Sequence, residues 1–397
     1  MRSWMLLLCV AGCAPQGARD PGHLDCVDLP SEHPRADALQ RALDEARRDL
    51  ELPSLALAVG DAHGVWSGAA GTADAELGIA RRPCQRQPIF SVTKSYFAAL
   101  VLGLVEEGEV GLDDRLADHV DASLLDGIAN ASSATLRQLL SMRSGIPNYV
   151  GTSFVLESLD APARRFTRAE VLDRVRGARA MFPPGEDFGY SNTNTMLLAH
   201  VVEAKTGTDE ASAMRERIFE PLGLAATTYA PDAFDTAGLV RGYFDPYGTD
   251  AFVDSTDTVA LATVAADGGI MAHAADVVSF LDALLISRTV LPEPLLDEAL
   301  RFGPTLEDPQ WAAGLPDFDG YGLGLIRWQV AGTEGFGHGG DGFGYQAHAY
   351  AFPAEGVVFV LLANASSLVA TGGNASARVD QARDRLVQVV LEGAVGR

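Results

Sequence analysis

Pro88-Ile89-Phe90-Ser91-Val92-Thr93-Lys94-Ser95-Tyr96-Phe97 places a serine and a lysine three residues apart at the head of an apolar run. The run continues from Tyr96 to Val105 and stops at Glu106-Glu107-Gly108. This pattern predicts a buried helix whose first turn holds Ser91 and Lys94 on one face. Unpaired backbone N–H groups collect at a helix start, and the helix dipole is positive there. A serine hydroxyl so placed becomes a nucleophile once a base lies within hydrogen-bond reach. A lysine desolvated in the same surroundings can lose its proton near neutral pH and serve as that base. A serine and a lysine at this spacing also occur at ordinary helix starts, so the pair gains meaning only from its apolar context and from segments further along.

The chain has 397 residues, 47% of them hydrophobic and 21% charged, which suits one large domain or two intimate ones. Thirty basic against 53 acidic residues give a net charge of −23 without any basic cluster. That balance excludes a nucleic-acid partner and adsorption to anionic lipid. Arg2, the apolar stretch from Trp4 to Val10 and Val10-Ala11-Gly12-Cys13 read as a targeting segment similar to a bacterial lipoprotein cleavage site. The expectation is a signal peptide over 1–12, lipidation of Cys13 after cleavage, and a tether over 13–34. The protein would then sit on the periplasmic side of a bacterial membrane, held by lipid alone; a plain secretory signal is the alternative. Cys9 leaves with the signal, so Cys26 and Cys84 either form a disulfide or stay as two lone thiols.

Leu39, Leu43, Ala46 and Leu50 recur at helical spacing, and Pro53 ends that helix. Ser54 to Val59 and Val65 to Ala70 flank Asp61-Ala62-His63-Gly64 as a hairpin. The middle is mostly helical, with a capping box at Thr167-Arg168-Ala169-Glu170. There the rigid stretch from Pro183-Pro184-Gly185 leads to Tyr190-Ser191-Asn192 at the mouth of another helix. After Gly268, Ala274 to Leu285 reads as an amphipathic helix, and Tyr321 to Val330, Gly344 to Phe352 and Val357 to Ala363 as strands. A last helix runs from about Ala377 to Leu391. The fold class is therefore α+β, an antiparallel sheet flanked by helices with a mostly helical lobe inserted. The lobes divide at about 35–95 with 260–391, and 96–259.

Three separated elements combine at this point: Ser91-Val92-Thr93-Lys94, Tyr190-Ser191-Asn192, and His338-Gly339-Gly340 on a glycine-rich strand. In this order they resemble the serine β-lactamase and penicillin-binding protein family, above all its class C β-lactamase, D-alanyl-D-alanine carboxypeptidase and esterase branch. Leu139 to Pro147, Phe182 to Asn192, Gly268-Gly269-Ile270-Met271, Tyr321-Gly322-Leu323-Gly324 and Gly337 to Phe343 share the likeness. The resemblance implies a β-lactamase-like fold over 35–391 and makes Ser91 the acylated nucleophile, with Lys94 and Tyr190 moving its proton. It implies that Asn192 binds substrate and Lys94, that His338, Gly339 and Gly340 line the substrate strand, and that the N–H groups of Ser91 and Asp341 form the oxyanion hole. On this view Tyr190 needs a lowered pKa, with Lys94 as the cation that lowers it.

Lys205-Thr206-Gly207 spells the family's third motif but ends a helix, where glycine is a cap. His338 stands where β-lactamases carry a lysine, and Asp341 follows it, which weakens recognition of a substrate carboxylate. Asp341 is expected to raise the protonated fraction of His338. The eight histidines show no metal-ligand spacing, so neither a metal nor another cofactor is expected. The activity implied is that of a D-alanyl-D-alanine carboxypeptidase-like serine hydrolase with weak β-lactamase activity, acting on a small molecule or peptide. A carboxylesterase and a non-hydrolytic binding lipoprotein are the alternatives.

Overall fold

The computed structural model describes residues 21–28, 32–161, 164–229, 238–256, 265–304, 318–330, 332–367 and 374–395. The targeting segment, Cys13 and part of the expected tether lie outside them. Nine strands form the main sheet: β1 (Ser54–Asp61), β2 (Gly64–Asp74), β3 (Ile79–Ala80), β4 (Gly303–Pro304), β5 (Phe318–Tyr321), β6 (Ile326–Val330), β7 (Thr333–Gly342), β8 (Tyr345–Phe352) and β9 (Val357–Ala363). Their order is β3-β2-β1-β9-β8-β7-β6-β5-β4, so strands from the two ends of the chain pair at its centre, Leu55 opposite Ala363. The apolar run of β9 and the strand β8, which carries Gln346 and His348 among its apolar residues, are buried on both faces because helices cover both sides.

On one face lie α1 (Ala36–Asp49) and the C-terminal helix (Ala375–Val395). Arg35 ties them together, donating to the carbonyls of Val389 and Val390. The helix Ala274–Leu281 covers the other face, and beyond it stands α2 (Thr93–Glu106). Tyr96 to Leu102 are all buried, which is why the run lacks amphipathic spacing: neighbours surround this helix. The helical segments between α2 and Tyr229 pack around it, forming the inserted layer. The antiparallel sheet flanked by helices is thus the α+β fold read from the sequence.

Two local differences bear on the site. Ser91 sits in a separate 3₁₀ turn, Phe90–Val92, ahead of α2. The stretch Tyr321 to Val330 is two strands, because the chain turns at Gly324 (φ 68°) to dock on α2. A Cβ at Gly324 would meet Ala98 Cβ at 2.5 Å and the Lys94 carbonyl oxygen at 2.8 Å, and the Gly324 carbonyl accepts the Ser95 hydroxyl at 2.8 Å. Cys26 and Cys84 are joined in a disulfide that fastens the N-terminal arm just before the Ser91 turn. The Lys205-Thr206-Gly207 triplet ends the helix Asn192–Thr206, with Gly207 as a left-handed cap (φ 70°).

Candidate active site

Phe90 holds φ at 44°, a conformation that a non-glycine residue adopts at a cost of about 1–2 kcal/mol. The twist turns the chain sharply from the short strand Gln87–Pro88 into the Ser91 turn. Strand β7 presses against that turn. A Cβ at Gly340 would overlap the Ile89 carbonyl and stand 3.1 Å from the Ser91 nitrogen, and one at Gly342 would overlap the Phe90 ring. Gly340 thus admits the backbone beside the nucleophile, a tighter demand than the passage of substrate expected there, and Gly342 admits the Phe90 ring. Pairing with β6 ends at Ile326–Gly337, whereas pairing with β8 runs on through Gly342–Tyr345. Residues 338–342 therefore have a sheet partner on one side only, and their other edge faces the Ser91 turn.

Around Ser91 the polar groups converge. Lys94 Nζ lies 3.1 Å from Ser91 Oγ and donates to the Asp267 carbonyl at 2.8 Å. The Tyr190 hydroxyl hydrogen-bonds Ser91 as well, and Lys94 Nζ stands 5.0 Å from the centre of the Tyr190 ring. Tyr190 is delivered by a loop mortised into its surroundings: Ser191 and Thr193 donate to the Pro147 carbonyl, and Ser144 and Asn194 join across the same junction at 2.7 Å. Burial pushes the Lys94 ammonium down to about 8, against the pull of the Asp267 carboxylate. It pushes the Tyr190 hydroxyl well above its ordinary value, with Tyr321 adding to the rise and the Ser91 contact opposing it. The expectation of a lowered tyrosine pKa is overturned, since burial outweighs the nearby lysine. Lys94 is the group that yields its proton more readily.

His338 is placed differently from the sequence expectation. It is buried, and both ring nitrogens are engaged: Nδ1 lies 2.5 Å from the Gly339 carbonyl and Nε2 lies 3.1 Å from the Tyr321 hydroxyl. A carbonyl only accepts, so Nδ1 carries the proton and Nε2 accepts from Tyr321. Desolvation, then Lys94, push the imidazole down to about 3. Asp341 does not raise it. The two residues are three apart on one regular strand and point to opposite faces: Asp341 is paired with Gln346, whose amide donates to it at 3.2 Å, and His338 with Ala349. Asp341 keeps an exposed side chain, so water relieves part of the upward push that its surroundings and Asp380 exert on its carboxyl. Asn192 departs from expectation in its bond to Lys94 alone. Its amide and backbone N–H bond Asn148 Oδ1 at 3.3 and 3.1 Å, while the bonds of Lys94 go to Ser91 and Asp267.

Ser91 opens on a cavity of about 120 Å³ walled by Phe90, Tyr149, Val150, Phe154, Val155 and Phe343, with Asn192, Asp267, Gly268, Asp341 and Gly342 completing it. Asp267 escaped the sequence reading although it directly precedes the quoted Gly268-Gly269; the signal was an acidic residue inside an apolar stretch. It is 4% exposed, its Oδ2 accepts the Tyr149 hydroxyl at 2.8 Å, and burial pushes its carboxyl up to about 6.

The fold and the convergence of serine, lysine and tyrosine define a serine hydrolase. The model of the Beta-lactamase family matches residues 39–383, and the chain belongs to that family. It is 28% identical over 336 residues to penicillin-binding protein 4 of Amycolatopsis lactamdurans, covering 82% of this chain and 84% of the relative. It is 29% identical over 314 residues to a D-aminopeptidase of Cereibacter sphaeroides, covering 77% of this chain and 55% of that protein, so the match spans about half the relative's length. Among solved structures, the D-amino acid amidase of Ochrobactrum anthropi SV3 complexed with L-phenylalanine amide superposes with a TM-score of 0.79. At 23% identity over 90% of this chain and 98% of the other, that is a likeness of fold.

Proposed function

We propose that the protein hydrolyses amide or ester bonds of small D-amino-acid derivatives through an acyl-enzyme on Ser91. One observation carries this: Lys94 Nζ and the Tyr190 hydroxyl both bond Ser91 at a wall of the cavity. Lys94 as free amine takes the Ser91 proton as Oγ attacks the carbonyl carbon. Tyr190, resting as a neutral phenol, passes a proton to the leaving amine or alcohol and regains one. Water then attacks the ester, its proton returns through the same pair, and Ser91 is released with the acid. The N–H groups of Ser91 and Asp341 hold the oxyanion, in keeping with the close approach of β7 to the Ser91 nitrogen.

The cavity favours an amidase or aminopeptidase over the carboxypeptidase that the sequence resemblance puts first. Its described lining includes Asp267 and Asp341 and no lysine or arginine, and His338 is neutral and turned inward, so the substrate strand offers a carboxylate no cation. The relation to a D-aminopeptidase agrees with this reading. A carboxylesterase is the second reading, favoured by the apolar walls of the cavity. The test is intact-mass detection of acyl-Ser91 after exposure to a fluorophosphonate, D-amino acid amides, nitrophenyl esters, D-alanyl-D-alanine peptides and nitrocefin. Acylation by the amides and esters ahead of nitrocefin is expected; an unlabelled Ser91 with every probe would sink the mechanism. Export and a lipid anchor at Cys13 complete the proposal, and loss of membrane fractionation in Cys13→Ser would check it.

A further inference from the structure

We propose that Asp267 is a specificity-determining residue that binds a free α-ammonium group on the acyl side of the substrate; this rests on the Ser91 acyl-enzyme reading above. Asp267 walls the same cavity as Ser91, and its main chain is two hydrogen bonds from the nucleophile, through Lys94. An α-ammonium is one carbon from the carbonyl under attack, so it enters this part of the cavity with the reacting bond.

The carboxylate is prepared to receive it. An ionised carboxyl offers about four acceptor positions. The Tyr149 hydroxyl takes one, at 2.8 Å, and the residue's own backbone N–H bonds the carboxyl as well. Acceptor capacity remains on a group that is 4% exposed, and a buried anion left without a counter-charge is costly.

Lys94 supplies that counter-charge only while protonated. In the state that attacks, Lys94 is the free amine and Asp267 is ionised, so Asp267 loses the counter-charge that Lys94 supplies. An incoming ammonium replaces it, and by repelling a proton from Lys94 it also favours the free amine. Phe154, Val155 and Val150 offer apolar surface to the substrate side chain. The class that fits is an amide or short peptide whose reacting residue is apolar and carries an unblocked amine. A substrate whose α-nitrogen is acylated by a longer acyl or peptide chain lacks that charge.

The test compares D-phenylalanine amide with its N-acetyl counterpart, using wild type, Asp267→Asn and Tyr149→Phe at one pH. Both substrates start from the same free enzyme, so the ratio of their kcat/KM cancels whatever a substitution does to the resting Lys94 and reads the effect of the ammonium. Wild type should favour the free amine, and Asp267→Asn should cut the ratio roughly ten- to hundredfold, the range of a charge-assisted hydrogen bond. Tyr149→Phe keeps the carboxylate and should keep the ratio, which serves if Asp267→Asn fails to fold. As a binding readout, D-phenylalanine amide should protect wild-type Ser91 from a fluorophosphonate better than the N-acetyl form does. A ratio unmoved by Asp267→Asn, or equal protection by both amides, overturns the anchor while leaving the acyl-enzyme intact. Absence of any fluorophosphonate labelling overturns the mechanism and the anchor together.

Discussion

The pH dependence of acylation should be set by Lys94 alone. Burial pushes the Lys94 ammonium down to about 8, the Asp267 carboxyl up to about 6 and the His338 imidazole down to about 3, so the three candidate groups titrate in separate windows. If Lys94 must be the free amine, only about a tenth of the protein is competent at pH 7, about one part in a hundred at pH 6, and nearly all above pH 9. Measured with a neutral nitrophenyl ester, which itself does not titrate here, kcat/KM should rise about tenfold per pH unit below pH 7, reach half its plateau near pH 8 and level off above it. The Asp267 carboxylate holds the lysine up, so Asp267→Asn should move the midpoint below 8. A midpoint near 6 in wild type would make Asp267 the base, and a flat profile from pH 6 to 9 would remove Lys94 from the mechanism.

Because the lysine titrates lower in the folded chain than in the unfolded one, burying it charged lowers stability below about pH 8, and the loss is recovered as pH rises toward 10.5. Lys94→Met should therefore be inactive yet more stable to urea at pH 7, by about 1–3 kcal/mol, with the gain shrinking above pH 8. Lys94→Ala, Tyr190→Phe and the double variant should each lose a similar factor in kcat/KM, since they form one proton path; losses that multiply would separate their roles. Gly340→Ala should lower stability by about 1–3 kcal/mol and depress acylation of Ser91 more than it raises KM, because its methyl meets the Ile89 carbonyl and not the substrate. Reducing the Cys26–Cys84 bridge, which spans 58 residues, should cost about 2–4 kcal/mol in a denaturant titration; an unchanged midpoint would show that the arm contributes nothing.

The local chemistry of the chain was legible wherever one segment settled its own structure. The apolar run after Tyr96, the capping box at Thr167, the Gly207 cap and the strand Val357–Ala363 need only spacing and local hydrogen bonds, and they stand where the sequence puts them. The proximity of Ser91, Lys94 and Tyr190 was also legible, through family resemblance. What could not be read was decided by long-range burial. The break at Gly324 exists because that turn docks on α2, far away in sequence. The inward turn of His338 depends on Tyr321, which presents a hydroxyl where a substrate group was expected. Tyr190 is pushed up because the folded chain excludes water from it, a property no local spacing encodes.

Burial and desolvation act in one direction at His338 and Tyr190, toward the neutral form, and the expectation that Asp341 would raise the protonated fraction of His338 falls to them. A lysine at 338 would bring a second ammonium into a buried position whose two polar partners now suit a neutral ring, beside a Lys94 that already titrates low. His338→Lys would then push Lys94 further down or lose stability, and it would not simply restore an anion site. The negative charge of Asp267 acts the opposite way. It keeps Lys94 from falling further, it is held by Tyr149, and it lines the cavity that Ser91 opens on. With the strand cation absent and a carboxylate present, the polarity of the site is reversed relative to one built for a substrate carboxylate. The acyl-transfer groups keep their contacts with Ser91 under that reversal, while the charge that selects substrate comes from the segment before Gly268 and tunes Lys94 as well.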